Sequence, residues 1–277
     1  MGEALRITRR NARFQQWQAL LGNRNKRQRA GEFLVQGVRP ITLAVEHGWP
    51  VRALIYNAER SLSRWASELL DAAGGEHVAM TPELIGELSD KDEDVPELLA
   101  VVGLPEDDPA RVTAGPDFLG LVFDRPTTPG NIGSMVRSAD AFGGAGVFVT
   151  GHAADPYDPK SVRASTGSLF AVPVVRSRSH REVLQWAADV RAQGVPLTIV
   201  GTDEHGTADI ADLDLTGPVL LAIGNETAGL SAGWREECDV MARIPITGAA
   251  SSLNAANAAT VVLYEAARQR ANLLRGS

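Results

Sequence analysis

Three polar loops, each placed directly after a short apolar run, carry the residues of this chain that are able to do chemistry. The first, Asp124–Gly143 (DRPTTPGNIGSMVRSADAFG), holds Asn131, Gly133 and Arg137. Its glycines let the backbone turn tightly and approach a ligand, and Arg137, one helical turn beyond Gly133, is placed to point back into the same crevice. The second, Gly224–Leu230 (GNETAGL), sets an Asn225–Glu226 pair beside glycine at the end of a buried run, where polar groups suit contact with a substrate. The third follows Ile244 and reads PITGAASSLNAANAAT, with Ser252 and Asn254 placed to cap or to open the last helix. Open α/β sheets bind ligands at such strand ends.

Several chemistries are excluded. There is neither a G-x-x-x-x-G-K-[ST] phosphate loop nor a G-x-S-x-G nucleophile elbow. Gly143, Gly144 and Gly146 do not form G-x-G-x-x-G, and they precede an apolar run rather than follow one. His47, His77, His152, His180 and His205 lack metal-ligand spacing, and the single cysteine, Cys238, supports neither an internal disulfide nor a cysteine zinc site. The expectation is a metal-independent protein.

The loops need a scaffold, and the apolar pattern supplies one. From Phe118 onward short apolar runs at 119–123, 147–150, 172–175, 197–200, 219–223 and 242–246 alternate with helix-length segments, and a long helix over about 253–270 closes the chain. Such runs predict a mostly parallel sheet covered on both faces. Upstream, helices are expected around Phe14–Leu21, Ile41–Val45 and Leu62–Leu70, strands at 33–35, 51–56 and 98–102, and a helix start at Thr81-Pro82. The Pro- and acid-rich stretch 103–117 reads as a linker, giving domains at 1–104 and 117–277 joined by 105–116.

Length agrees: 277 residues suggest about two domains. With 44% hydrophobic and 22% charged residues the chain is too apolar for disorder. No run reaches a membrane-spanning length, and the N-terminus lacks the apolar core of a signal peptide, so a cytoplasmic protein is expected. Residues 1–30 carry Arg6, Arg9, Arg10, Arg13, Arg24, Lys26, Arg27 and Arg29 against Glu3, a net +7 within a chain of net −7. That asymmetry reads as a local phosphate-binding face or as a solvated helix face. Only three of the 27 basic residues are lysine, Lys26, Lys91 and Lys160. Arginine's forked donors suit phosphate, and a GC-rich genome produces the same bias.

N-x-G-x-x-x-R (Asn131, Gly133, Arg137), G-N-E-x-x-G-L (Gly224–Leu230) and I-P-x(6)-S-L-N (Ile244, Pro245, Ser252, Leu253, Asn254) stand in the order and spacing of the three SpoU motifs. Over residues 116–277 the chain resembles the SpoU/TrmH-type, SPOUT-class RNA 2'-O-ribose methyltransferases. R-A-S-x-G (Arg163, Ala164, Ser165, Gly167) matches a further family segment. Phe33–Arg39 (FLVQGVR) resembles the family's N-terminal substrate-binding domain, a small α/β fold like that of a ribosomal protein. The layout is also similar to antibiotic-resistance (avilamycin-type) 23S ribosomal RNA methyltransferases of actinomycetes. Thr227, Ser251 and Asn257 depart from the family, which often has glycine, glutamate and an aliphatic residue there.

The resemblance implies an α/β SPOUT domain ending in a trefoil knot, an exception to ordinary chain connectivity. It also implies a homodimer sharing its site, no membrane, and RNA, above all 23S ribosomal RNA, as partner. S-adenosylmethionine would lie in the knot at Gly224, Ile244 and Leu253, with Thr202 and Asn225 beside them. Arg137 would grip phosphate and stabilise alkoxide charge rather than act as base, since arginine stays protonated. Asn131 would position the ribose, Ser252 and Asn254 would bond nucleotide or cofactor, and Glu226 would hold neighbouring loops. Arg24, Lys26, Arg27, Arg39, Arg163 and Ser165 would contact RNA. The competing readings are a non-catalytic RNA-binding protein on the same scaffold, a transfer RNA 2'-O-methyltransferase, and a class I Rossmann-type methyltransferase, which lacks its glycine-rich first loop here.

Overall fold

A computed structural model of the chain describes residues 5–89 and 94–276; Glu3 and Lys91 of the charge count lie outside them. The chain forms two units. The first gathers the residues up to Pro105 together with Tyr157–Ala171, and the second Glu106–Pro156 with Val172–Ser277.

In the first unit β1 (Leu5–Ile7), α1 (Ala12–Gly22), α2 (Arg24–Ala30), β2 (Glu32–Gln36), α3 (Val38–Glu46), β3 (Val51–Asn57), α4 (Arg64–Ala72), β4 (Glu76–Met80), α5 (Pro82–Leu88) and β5 (Leu98–Gly103) follow one another. The sheet order is β1-β4-β3-β5-β2, parallel across β1, β4 and β3 and antiparallel from β3 through β5 to β2. Phe14, Trp17 and Leu20, the helical-spaced apolar residues of α1, pack with Ile55, Val78 and Val101.

The polar stretch 23–31 carries no apolar periodicity, yet it folds as α2. Asn23 caps it by accepting from the Lys26 amide, and Gly31 ends it in the left-handed region at φ 66°. This helix overturns one expectation. Arg27 is 2% exposed; its guanidinium donates to the Leu20 and Leu21 carbonyls (2.6 and 3.3 Å) and pairs with Asp158 at 3.4 Å. It satisfies the open end of α1 and cannot contact RNA. Ser165 is corrected likewise, because it is fully buried and its hydroxyl donates to Val162 O at 2.7 Å. Of the other N-terminal cations, Arg10 pairs with Glu87 at 2.9 Å, and Arg13 pairs with Glu76 and lies over the Trp17 ring. Lys26, Arg39 and Arg163 are exposed, and Arg24 is half-buried.

The second unit runs β6 (Leu119–Asp124), α6 (Pro129–Ala141) and β7 (Gly146–Thr150). After α7 (Pro159–Ser165) and α8 (Ser168–Ala171), which pack with the first unit around Phe33, Trp49, Tyr157 and Phe170, it resumes. There follow β8 (Val174–Ser177), α9 (His180–Ala192), β9 (Thr198–Thr202), β10 (Ala208–Asp209), β11 (Val219–Ile223), α10 (Ala232–Glu237), β12 (Val240–Arg243) and α11 (Ala255–Gly276). All seven strands are parallel, in the order β10-β12-β9-β11-β6-β7-β8.

Val122, Phe148, Leu220 and Ala222 face α9 and α10 through Trp186 and Trp234, while the alternate Leu121, Phe123, Leu221 and Ile223 are as deeply buried under α6 and α11. Arg270 pins the last helix by donating to the carbonyls of Asp117, Phe118, Leu215 and Gly217 at 2.6–3.1 Å. The final strand ends at Arg243, earlier than the apolar run 242–246 suggests. Pro245 has no N–H for an interior ladder, so Ile244 and Ile246 leave the sheet.

Arg27→Met should lower the unfolding free energy by about 2–3 kcal/mol in urea titrations, because it strands two carbonyls and a carboxylate. An unchanged midpoint would show that the buried guanidinium is dispensable.

Candidate active site

The site is assembled at the carboxyl ends of β6, β7, β9, β11 and β12, where the parallel register delivers every loop to the same edge. Asp124, the last residue of β6, is 3% exposed. Its Oδ1 accepts from the Thr150 hydroxyl at 3.0 Å, and its Oδ2 from Arg125 Nε at 3.0 Å and the Ser231 amide at 2.9 Å. Thr150 in turn accepts from Trp234 Nε1 at 3.3 Å. Arg125 takes the left-handed conformation at φ 52°, which costs a non-glycine residue energy. In that pose its guanidinium reaches Gly229 O at 3.0 Å and its own carbonyl accepts from Asn225 Nδ2 at 2.6 Å.

The 224–230 loop is thereby moulded from inside and outside. Asn225 and Gly229 exchange backbone hydrogen bonds at 3.0 and 3.1 Å, while Asn225 Oδ1 accepts from the Thr227 and Ala228 amides. A Cβ on Gly224 would stand 2.3 Å from Gly229 C and Leu230 N, so only glycine permits this closure. Arg235 holds the far side, donating to Leu230 O at 3.0 Å and pairing with Asp203 at 2.7 Å.

A second set of bonds ties this loop to the other two. Glu226 accepts from the Thr127 amide and hydroxyl (3.2 and 3.1 Å) and from Asn131 Nδ2 (2.9 Å). Asn131 Oδ1 accepts from Asn254 Nδ2 at 3.2 Å, and Asn254 Oδ1 accepts from the Ala256 and Asn257 amides, starting α11. Asn254, not Ser252, is therefore the cap. Burial pushes the Glu226 carboxyl up, but the donors at Asn131, its own amide and Thr127 outweigh it and hold the group below the usual glutamate range. An ionised, fully engaged carboxylate is a poor proton acceptor and a good loop fastener.

Between the second and third loops and the end of β9 lies a cleft of about 440 Å³. Gly224, Ile244, Ile246, Leu253 and Ser252 line it, with Asp203, Glu204 and Glu226 supplying negative charge. Thr202 and Asn225 also line it, but the Thr202 hydroxyl is engaged with Ala222 O at 3.0 Å and the Asn225 side chain with Arg125 O and its own loop. They offer backbone rather than side chain. Ser251 lines the cleft where the family often has a carboxylate.

Arg137 does not point into this cleft. It is exposed on α6 and makes no hydrogen bond or ion pair among the described residues. Among those residues no three His, Cys, Asp or Glu side chains gather as a metal site, and burial, then the neighbouring Asp239, pushes the Cys238 thiol up to about 12. Sequence reasoning missed Asp124, Arg125, Thr127, Thr150, Asp203 and Arg235. The available signal was charge set directly after continuously apolar strands, at Asp124 and Asp203.

Residues 119–264 match the SpoU rRNA Methylase family, and residues 11–100 match the SpoU L30e-like domain. The chain belongs to the SpoU rRNA methylase family. A 23S rRNA (uridine(2479)-2'-O)-methyltransferase of Streptomyces viridochromogenes is 64% identical over 267 residues, 96% of this chain and 93% of the relative. The crystal structure of the SpoU methyltransferase AviRb from that organism, in complex with AdoMet, has a TM-score of 0.92 at 64% identity, covering 95% of this chain and 99% of that one. An AdoMet-bound rRNA methyltransferase from Sinorhizobium meliloti has a TM-score of 0.83 at 28% identity, covering 96% and 98%. The three loops that Glu226 and Asn131 join all lie within the residues that match this family.

Gly224→Ala should release the hairpin and raise amide exchange at Asn225 and Gly229 at least tenfold, with the strand amides unaffected; retained protection would contradict the close packing. The lowered Glu226 carboxyl makes its contribution to loop stability complete at neutral pH and lost only as pH falls through its folded value. A carboxyl titration followed by NMR should find Glu226 below free glutamate, and a midpoint near neutrality would reverse its assignment as a fastener.

Proposed function

We propose that this protein transfers a methyl group from S-adenosylmethionine to a ribose 2'-hydroxyl of 23S ribosomal RNA. The observation that carries the reading is that one hydrogen-bonded chain, Glu226–Asn131–Asn254, ties the three loops together beside a cleft with an apolar wall and an acidic rim, which the second and third loops line. Ile244, Ile246 and Leu253 offer the wall that an adenine requires, the 224–229 backbone offers donors and acceptors, and Asp203, Glu204 and Glu226 suit a ligand carrying ammonium and sulfonium charge. When bound, that cofactor supplies an electrophilic methyl group.

The chain's own residues then have to place one hydroxyl. Asn131 and Asn254, joined to each other, orient the ribose, and the exposed Ser252 hydroxyl bonds the nucleotide. Alignment of this kind supplies a large part of a rate. The uncommitted guanidinium fork of Arg137 grips the adjacent phosphate and stabilises charge growing on the ribose oxygen.

Because Arg137 lies outside its own protomer's cleft, the reading includes a homodimer in which α6 of one copy serves the cleft of the other. Support comes from the exposed apolar surface on α11, where Tyr264 is 56% exposed and meets Phe142 edge-on, with Val261 one turn away. The trefoil knot belongs to the same proposal: the chain leaves β11, crosses β9 to form β12, and returns as α11 against α6. RNA contact is assigned to Arg24, Lys26, Arg39 and Arg163, and the place of action to the cytoplasm, with no helix among the described residues long and apolar enough to cross a membrane. The 64% identity to the Streptomyces viridochromogenes enzyme supports a uridine as target; antibiotic resistance as the role rests on the resemblance stated above.

Arg137→Ala should abolish methylation, at least a hundredfold in turnover, while S-adenosylmethionine binding measured by calorimetry persists. Alkaline cleavage of 23S ribosomal RNA treated with the wild type should show one new block, marking a ribose methyl. Wild-type turnover in the variant overturns the role of Arg137. Absence of any block in 23S RNA, with one in transfer RNA, favours the transfer RNA alternative, and absence of cofactor binding favours the non-catalytic one.

A further inference from the structure

The first unit contains a second and larger cleft, distinct from the one in which methyl transfer is placed. It encloses about 810 Å³ beside β2, β5, α3 and α7. Leu34, Leu99 and Val162 form its floor, and Arg39, Lys160 and Arg163 stand on its rim. The floor is buried, with Leu99 fully so, while all three cations are exposed. Among the described residues that line the cleft, Asp158 is the one carboxylate, and it is committed to Arg27 at 3.4 Å and to the Lys160 amide at 3.0 Å. The described residues of the rim therefore carry net positive charge on a protein that is acidic overall.

An apolar cavity ringed by cations demands a ligand with a flat, weakly polar body and anionic flanks. A nucleotide within a single strand meets that demand: its base leaves the stack, and the phosphates on either side stay at the surface. A paired base does not, because its faces are covered by its neighbours. Unstacked bases are the features that proteins read in RNA, often against arginine planes, and Arg39 and Arg163 supply such planes here. The size also suits, since pockets for single small ligands span about 300–1,000 Å³.

We propose that this cleft is a nucleotide-docking site that takes one unstacked base of the RNA substrate, with the flanking phosphates held by Arg39, Lys160 and Arg163. The proposal rests on the reading of the protein as an RNA-modifying enzyme and adds a determinant of substrate choice to it. Contact here selects RNA that presents a splayed base, so duplex regions are rejected without any base being read at the methyl-transfer cleft.

The test uses the full-length protein and a seven-nucleotide single-stranded RNA with 2-aminopurine at its centre. Binding should raise the 2-aminopurine fluorescence severalfold as the base leaves its neighbours, and the same strand in a duplex should bind at least tenfold more weakly. The triple variant Arg39→Ala, Lys160→Ala, Arg163→Ala should bind at least tenfold more weakly than the wild type and flatten the plot of log affinity against log salt by about 2, at roughly 0.7 per lost phosphate contact. Adenosine monophosphate, which keeps one phosphate and lacks the other and both neighbouring nucleotides, should compete at least a hundredfold more weakly than the heptamer.

Equal binding of the duplex, unchanged fluorescence, or wild-type affinity in the triple variant would each overturn the proposal, as would equal competition by the mononucleotide, which would make this a free-nucleotide site. The methylation assay separates the two readings. Methyl transfer to 23S RNA with no heptamer binding removes the docking site alone, and heptamer binding with no methyl transfer removes the enzyme reading while leaving the cleft an RNA contact.

Discussion

One buried carboxylate decides whether this sheet has an active edge. Asp124 sits at the end of a strand whose neighbours are all apolar, and an isolated charge there would be prohibitively costly. It is stabilised because a hydroxyl from β7, a guanidinium from its own loop and an amide from the start of α10 all donate to it. Charge-assisted bonds of this kind contribute roughly 1.5–3 kcal/mol each, enough to hold Arg125 in its left-handed pose and, through it, the 224–230 loop against the sheet. The polar site and the apolar core are thus one construction. The core brings three strand ends to a common edge, and the carboxylate makes the loops beyond them agree on one geometry.

Glu226 repeats the logic nearer to solvent. It binds the first SpoU loop through Thr127 and Asn131, and Asn131 hands the connection on to Asn254 at the start of α11. Function follows from this economy. Most polar side chains of the three motifs are occupied in shaping the site, and Ser252 and Arg137, which are not, are the ones proposed to meet a nucleotide. A cofactor taken up in such a cleft meets backbone and an apolar wall on one side and the carboxylates of Asp203, Glu204 and Glu226 on the other.

Much of this was legible in the order of residues. The apolar runs located the parallel sheet because strands covered on both faces must be continuously apolar, and the run at 219–223 coincides with β11. Glycines beside Asn and Glu marked the loops because tight turns and exposed polar groups at buried strand ends have few other uses. Less visible were features that depend on distant partners. Arg27 looks like its exposed neighbours in a basic stretch, and only the placement of the α1 carboxyl end and Asp158 turns it inward. Helix α2 is written in its caps rather than in any periodicity. Asp124 and Arg125 read as the start of a loop, since their partners Thr150, Gly229 and Ser231 lie 26 to 107 residues away. Arg137 was expected in the cleft from helical spacing alone, but the packing of α6 against α11 faces it outward.

The account stands most directly on the claim that Asp124 shapes the cofactor cleft. Calorimetric titration of S-adenosylmethionine into Asp124→Asn, with near-UV circular dichroism confirming a folded protein, reads that claim without requiring RNA. The account predicts a loss of affinity of at least tenfold, because an amide cannot accept all three donors. Wild-type affinity in the folded variant would contradict it.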